Sequence, residues 1–297
     1  MLMEFKKYSS IKTIKDIGRV DSIAKVNSVA TEKVHGMNAS LYYDGTVRYA
    51  MRNEFNDHAF ETVRDYTEEC RRLAEFYECK ELIVYGEVFG GSYAGEITDG
   101  ARKILKGNDY IPFNDFIVFD VMADGEMQVF RPDIWRAVGF KVVPVIKYGP
   151  YHELMKLDPS GKTSVSSMYG LDDIGRREGL VVKTVAPMYR PDGLRYINKL
   201  ISPAFKPRKG PTVRTKPVDI PERLMETYQA IRSEINEIRL ENALSKLPGE
   251  HAIHKVAGIM MQDILEDFDI TKKDWNSIKK MPIEEAIELT REYMLSE

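Results

Sequence analysis

Cysteine is scarce in this chain of 297 residues, with only Cys70 and Cys79. Two thiols supply neither a disulfide framework nor a four-thiolate zinc site. Long apolar runs are missing as well. The longest, such as Phe116-Ile-Val-Phe119, have the length of a buried strand, far short of the roughly 18 residues that cross a bilayer. The opening MLMEFKKYSS sets an acid and two lysines where a signal peptide carries its apolar centre, so the expectation is an intracellular, cytoplasmic protein with no membrane partner. Positive charge is not in excess either: 43 Lys and Arg stand against 46 Asp and Glu, a net −3. That balance does not mark a polyanion-coating protein. It is unevenly divided, however. The last 80 residues hold 10 basic and 17 acidic side chains, which leaves a net +4 on the first 217. A nucleic-acid surface is therefore expected mainly in the N-terminal part.

What is present is an ordinary globular composition, 43% hydrophobic and 30% charged, in a chain long enough for two domains of about 100–200 residues. Ala39, Leu41 and Tyr43, then Asp44-Gly45, then Val47, Tyr49 and Met51 spell a hairpin, an alternation broken by turn residues. Lys33 and His35 stand just before it. A helical stripe of Phe55, Ala59, Val63, Tyr66, Cys70, Leu73 and Tyr77 predicts an amphipathic helix over about 53–79 with Cys70 buried in it. Strands are expected at 81–88, 115–121, 128–130, 140–146 and 179–184. Their irregular spacing points to an α+β fold rather than a doubly wound parallel sheet.

KPRKGPTVRTK, Lys206 to Lys216, with Pro217 behind it, combines proline, glycine and five basic residues, and reads as a linker. Three parts follow: 1–205, a linker at 206–217, and 218–297. In the last, Leu224, Tyr228, Ile231, Ile235 and Ile238, and later Ile283, Ile287 and Tyr293, keep helical spacing. Two stretches imitate familiar sites. Ser160-Gly-Lys-Thr163 resembles the end of a phosphate-binding loop, but Lys156 stands where its first glycine belongs. His251 and His254 form a pair with no third ligand nearby in sequence.

Five short segments carry the chemistry: Glu32-Lys-Val-His-Gly36, Tyr85-Gly-Glu-Val-Phe-Gly90, Phe116-Ile-Val-Phe-Asp120, Glu178-Gly-Leu-Val-Val-Lys183 and Arg195-Tyr-Ile-Asn-Lys199. In this order they resemble the motifs shared by ATP-dependent ligases and mRNA-capping enzymes, the covalent nucleotidyltransferases. Histidine at position 35, with Asn38 behind it and Arg52 on the return strand, resembles the RNA ligase 2 type, which includes phage double-strand RNA ligases and RNA-editing ligases. The likeness extends to both ends, at Phe5-Lys-Lys-Tyr-Ser-Ser10 and at Lys255-Val-Ala-Gly-Ile-Met-Met-Gln-Asp-Ile-Leu-Glu266.

The resemblance implies an adenylyltransferase domain of ATP-grasp-like antiparallel sheets, followed by a small all-α domain for polynucleotide recognition. It implies ATP-dependent joining of RNA 3′-OH and 5′-phosphate ends, at nicks in duplex RNA, by a monomer that uses ATP and Mg²⁺ or Mn²⁺. Lys33 would take AMP. A free lysine is about 99.9% protonated at neutral pH and not nucleophilic, so it needs desolvation or cationic company. His35, Lys183 and Lys199 would assist catalysis. Glu32, Asn38, Arg52, Glu87 and Phe119 would hold the nucleotide together with Lys33, Glu178, Lys183 and Lys199, and Glu178 would bind the metal. One departure stands out: the family's last motif has two lysines on one side of a strand, and here Lys199 is followed by Ile201. Lys206 is the nearest substitute cation. Two other readings of the sequence are a capping guanylyltransferase, which would carry a β domain after the last motif, and a degenerate ligase fold that only binds RNA.

Overall fold

The computed structural model describes residues 3–9, 11–13, 21–104, 109–191, 193–205, 220–247 and 252–295. The chain divides into two compact units, 1–204 and 205–297. The linker expected at 206–217, with Lys206, and His251 lie outside the described residues.

The first unit is built on two sheets. One has strands β1 (Lys12–Thr13), β2 (Asn27–Lys33), β9 (Val145–Pro150), β10 (Gly179–Thr184) and β11 (Ile197–Ile201) in the order β1-β11-β10-β2-β9. The other contains β3 (Met37–Tyr43), β4 (Val47–Met51), β5 (Leu82–Ser92), β6 (Ile111–Ala123) and β7 (Glu126–Met127) in the order β4-β3-β5-β6-β7, with β8 (Lys141–Val142) pairing with β6. All pairings are antiparallel except β1 with β11 and β6 with β8. Helices α1 (Thr67–Tyr77), α2 (Pro132–Ala137) and α3 (Tyr151–Leu154) pack around them. The α+β reading with antiparallel sheets holds.

The hairpin forms in the expected register, Ala39 opposite Met51, Leu41 opposite Tyr49 and Tyr43 opposite Val47, with Gly45 at φ +105° in its turn. Glycine reaches that backbone region without steric cost. The helix expected over 53–79 is shorter. Its first half gives an isolated bridge at Phe55 and a 3₁₀ turn at His58–Phe60, and only Thr67–Tyr77 is α-helical. Of the stripe's first half Phe55 is exposed, Val63 is half-buried and Tyr66 is buried, while Phe60, outside the stripe, is buried, so the apolar spacing before Tyr66 reports neither a helix nor a buried face. Cys70 is fully buried, as expected. The strand expected at 128–130 is displaced to Glu126–Met127, and that at 140–146 is split into β8 and β9, which join different sheets.

The second unit is helical throughout its described residues: α4 (Met225–Ser233), α5 (Glu237–Ser245), α6 (Ile253–Leu265), α7 (Lys272–Ile278) and α8 (Lys280–Leu295). Asn236 caps α5 by accepting from the Arg239 N–H, and Thr271 caps α7 by accepting from the Asp274 N–H. Both satisfy a donor that a helix start leaves open. Ile231, Leu240, Val256, Met260, Ile264 and Ala286 form a core of its own. Within it Arg239 gathers Glu234, Asp263 and Asp267. Among the described residues no helix is long and apolar enough to cross a membrane.

Candidate active site

Lys33 is the last residue of β2, and the chain then passes through Val34, His35 and Gly36 into β3 of the other sheet. This crossing explains the sequence around it. A Cβ on Gly36 would lie 2.3 Å from the Val88 carbonyl oxygen and 2.8 Å from Cγ of Glu87, so only glycine lets the chain pass so close to β5. His35 is buried, and its backbone N–H donates to the Tyr110 hydroxyl at 3.0 Å.

Pairing registers show which side chains share the space. Directly opposed residues of an antiparallel pair lie on one face, and the next residue lies on the other. Lys33 is opposite Gly179 and Gly179 is opposite Ile201, while Val181 is opposite Lys199 and Lys183 opposite Ile197. Lys33, Lys183, Lys199 and Ile201 therefore project from one face of the first sheet. On the second sheet Asn38 is opposite Glu87 and Tyr85 opposite Asp120. Arg52 follows directly on β4. These two faces look at each other, because Lys183 Nζ reaches Asp120 Oδ1 across the gap at 2.8 Å.

In that gap Lys33 Nζ donates to Glu178 Oε2 at 2.6 Å, and His35 Nδ1 lies 3.2 Å from the same oxygen. The Lys33 side chain is 23% exposed and that of Glu178 is 12% exposed, which leaves the pair open to a ligand. The Lys183 side chain, at 2%, is enclosed.

A family model described as RNA ligase matches residues 27–201, a span that contains both sheets' site strands. The chain belongs to the RNA ligase family. Among solved structures it is similar to an apo mutant of the Naegleria gruberi RNA ligase at 19% identity and TM-score 0.45, over 67% of this chain and 56% of that one. It is likewise similar to a mutant of that ligase with ATP and Mn at 18% identity and TM-score 0.42, and to one with AMP and Mn at 18% and 0.44. Each of these two alignments spans 68% of this chain and 57% of the other. The chain thus spans little more than half the length of those proteins. A search of curated proteins found no match.

The charges in the gap are unequal. Burial works to raise the Glu178 carboxyl, but Lys33 and His35 outweigh it and hold the group down at about 2. Glu87, half-buried, goes the other way. Burial pushes its carboxyl up to about 8, with Lys33 and Arg52 drawing it down and Glu178 adding to the rise. Lys33 thus lies beside one carboxyl that its own charge helps to hold low and another that burial holds high. Among the described residues no cluster of three or more His, Cys, Asp or Glu could cage a metal. The ionised Glu178 carboxylate by itself suits Mg²⁺, which takes few protein ligands and fills its shell from phosphates and water.

The other sequence-predicted residues fall into place unevenly. Asp120 is fully buried and accepts from Lys183, from Arg195 Nη1 at 2.9 Å and from the Tyr8 hydroxyl. Burial pulls Lys183 below its ordinary value, and Asp120 draws it partly back. Lys183 also donates to the Phe119 carbonyl. Phe119 is the extra residue of a bulge, where Tyr85 opposes Asp120 and Gly86 opposes Val118. Bulges re-aim a side chain, and the Phe119 ring meets the Tyr8 ring edge-on with centroids 4.9 Å apart. Lys199 is half-buried on β11. Glu32 is not brought to the cluster. As the neighbour of Lys33 in a strand it lies on the opposite face, where it accepts from Thr163 and Ser164. That corrects the expectation that its side chain joins the nucleotide site. Tyr110 was missed by the sequence reading, and no local pattern marks it. Tyr8 and Arg195 lie inside the motifs, where the sequence assigns them no role.

Proposed function

We propose that this chain is an ATP-dependent RNA ligase that joins 3′-OH and 5′-phosphate ends through AMP carried on Lys33, and that nicks in duplex RNA are its substrate. The observation that carries this reading is the placement of Lys33, partly exposed, at the crossing between the two sheets with Glu178 and His35 on its amine.

The chemistry runs in three displacements. The neutral Lys33 amine attacks the α-phosphorus of ATP, a P–N bond forms, and the bond to the β-phosphate oxygen breaks to release pyrophosphate. An oxygen of the RNA 5′-phosphate then attacks that phosphorus, the P–N bond breaks, and Lys33 regains a proton. Last, the 3′-hydroxyl attacks the 5′-phosphate phosphorus, loses its proton and expels AMP. Before the first step Lys33 has to lose a proton, and its contact with Glu178 opposes this, since a carboxylate held at about 2 favours the ammonium; a cation drawn to Glu178 would loosen that contact and ease the loss of the proton to water. Bound Mg²⁺ would offset the negative charge that builds on the phosphates, held by Glu178. Asn38 and Arg52 offer hydrogen bonds and positive charge toward phosphate and ribose, Glu87 can bond the ribose hydroxyls, and Phe119 offers an aromatic face to adenine, with stacking of about 1–3 kcal/mol.

The helical second unit supports a ligase over a capping guanylyltransferase, which would place a β domain there. Incubation with radiolabelled ATP or GTP and Mg²⁺ tests the proposal. One AMP per chain by intact mass, located on Lys33 by peptide mapping and lost in Lys33→Ala, is the expected outcome. Labelling from GTP alone, or an adduct that persists in Lys33→Ala, overturns it.

A further inference from the structure

Glu32 is 1% exposed, and both of its oxygens are used. Thr163 Oγ1 donates to one at 2.5 Å and the Ser164 N–H donates to the other at 2.8 Å. The Thr163 hydroxyl oxygen in turn accepts from the Val165 N–H at 3.0 Å. Thr163 ends Ser160-Gly-Lys-Thr163, the stretch that imitates a phosphate loop in sequence and here is part of a two-stranded contact, and Ser164 follows it. The Thr163 N–H donates to the Gly175 carbonyl at 3.1 Å and the Arg177 N–H to the Gly161 carbonyl at 3.1 Å, with Lys162 bridged to Arg176 between them. The Arg177 guanidinium donates back to the Pro159 carbonyl at 3.0 Å. It also packs where a Cβ on Gly161 would sit, its Nη2 only 2.9 Å from that point. One residue further on is Glu178, whose carbonyl accepts from the Ser202 N–H at 2.9 Å. The segment 161–164 is thus tied on one side to Glu32 and on the other to the residues that lead into Glu178.

We infer that Glu32 is a positioning residue: from the face of β2 opposite Lys33, its carboxylate fixes segment 161–164 and, through its pairing with 175–177, the place where Glu178 meets Lys33. A buried carboxylate is an expensive way to fill space, and an apolar side chain would pack that side of β2 against Leu180 and Leu200, its register neighbours, without such a cost. Its adjacency in sequence to Lys33 makes the arrangement a clamp. One strand residue points into the gap to react, and the next points away to hold the carboxylate that the first one meets. This inference rests on the ligase reading for its kinetic consequence and on geometry alone for its structural one.

The full chain and the variants Glu32→Gln, Thr163→Val, Thr163→Ser and Glu32→Gln with Thr163→Val test it by two measurements. The first is the single-turnover rate of AMP transfer against ATP concentration. Glu32→Gln and Thr163→Val should each slow the saturated rate by about tenfold while moving half-saturation by less than about twofold. The double variant should be no slower than the slower single, and Thr163→Ser, which keeps the hydroxyl, should match wild type. The second, in the absence of nucleotide, is hydrogen exchange. The Thr163 and Arg177 amides should lose at least about tenfold protection in Glu32→Gln and Thr163→Val and none in Thr163→Ser. A raised half-saturation with an intact rate, as direct nucleotide contact by Glu32 would give, overturns the inference, and so do additive effects or unmoved exchange. If no variant or wild type takes up AMP, the ligase reading fails and hydrogen exchange still decides the positioning role.

Discussion

Replacing Glu87 by glutamine should make the first unit more stable, and by an amount that depends on pH. In the folded chain burial pushes the Glu87 carboxyl from its ordinary 4.5 up to about 8. The folded state therefore holds this proton over a range where the unfolded state has lost it, and stability falls as pH rises from 4.5 to 8. At ~1.36 kcal/mol per pH unit, the loss from this one group is about 3 kcal/mol at pH 7 and about 4–5 kcal/mol above pH 8. Glutamine has the shape of the protonated acid, can still accept the hydrogen bond that the Gly36 N–H gives Glu87, and does not titrate. Glu32, held up at about 7 by burial, contributes a similar slope, but equally to both proteins, so it cancels in their difference. The assay is urea unfolding at pH 5, 6, 7 and 8, followed by the fluorescence of Trp135, buried in the first unit. A Trp275→Phe background in both proteins removes the other tryptophan. Variant minus wild type should be about 1 kcal/mol at pH 5 and grow to about 3 kcal/mol at pH 7. A difference that stays flat from pH 5 to 8, or that shrinks, would refute the reasoning. The same variant should lose AMP transfer if Glu87 holds the ribose, trading activity for stability at one residue.

Asp120→Asn leaves Lys183 enclosed without its anionic partner, and removing one half of a buried pair costs about 3–5 kcal/mol; urea unfolding at pH 7 measures it. Lys199→Ala should slow AMP transfer at least about tenfold, whereas Ile201→Lys, restoring a cation on the face shared with Lys33 and next to Gly179, should speed it. Single-turnover rates check both, and a Lys199→Ala protein with the wild-type rate would show that the last motif is misaligned. A chain ending at Lys216 should keep AMP transfer and lose sealing of nicked duplex RNA, since the helical unit has its own core. Joint replacement of the exposed Lys272, Lys273, Lys279 and Lys280 by glutamine should weaken duplex binding in filter assays and leave AMP transfer unchanged.

Much of this protein can be read along the chain, because strand alternation, turn glycines and motif order are local properties. The hairpin from Ala39 to Met51 appears in its register, Gly36 is where the chain must turn closely past β5, and Cys70 is in the core. Even the outward turn of Glu32 is implicit in the sequence, since consecutive residues of a strand face opposite ways, although motif resemblance drew it into the site. Other features exist only once distant segments meet. The apolar spacing of Phe55, Ala59 and Val63 fits a helix, yet Phe60 and Tyr66 find their core in irregular backbone, because tertiary burial outweighs a weak local preference. Lys183 and Asp120 are 63 residues apart and on different sheets, so no local pattern could pair them. Nor could one pair Glu32 with Thr163, or the His35 backbone with Tyr110. Residue types and their faces are set by sequence; which charge meets which, and whether a carboxyl is held near 2 or near 8, is set by long-range packing that removes water from one group and supplies a cation to the other.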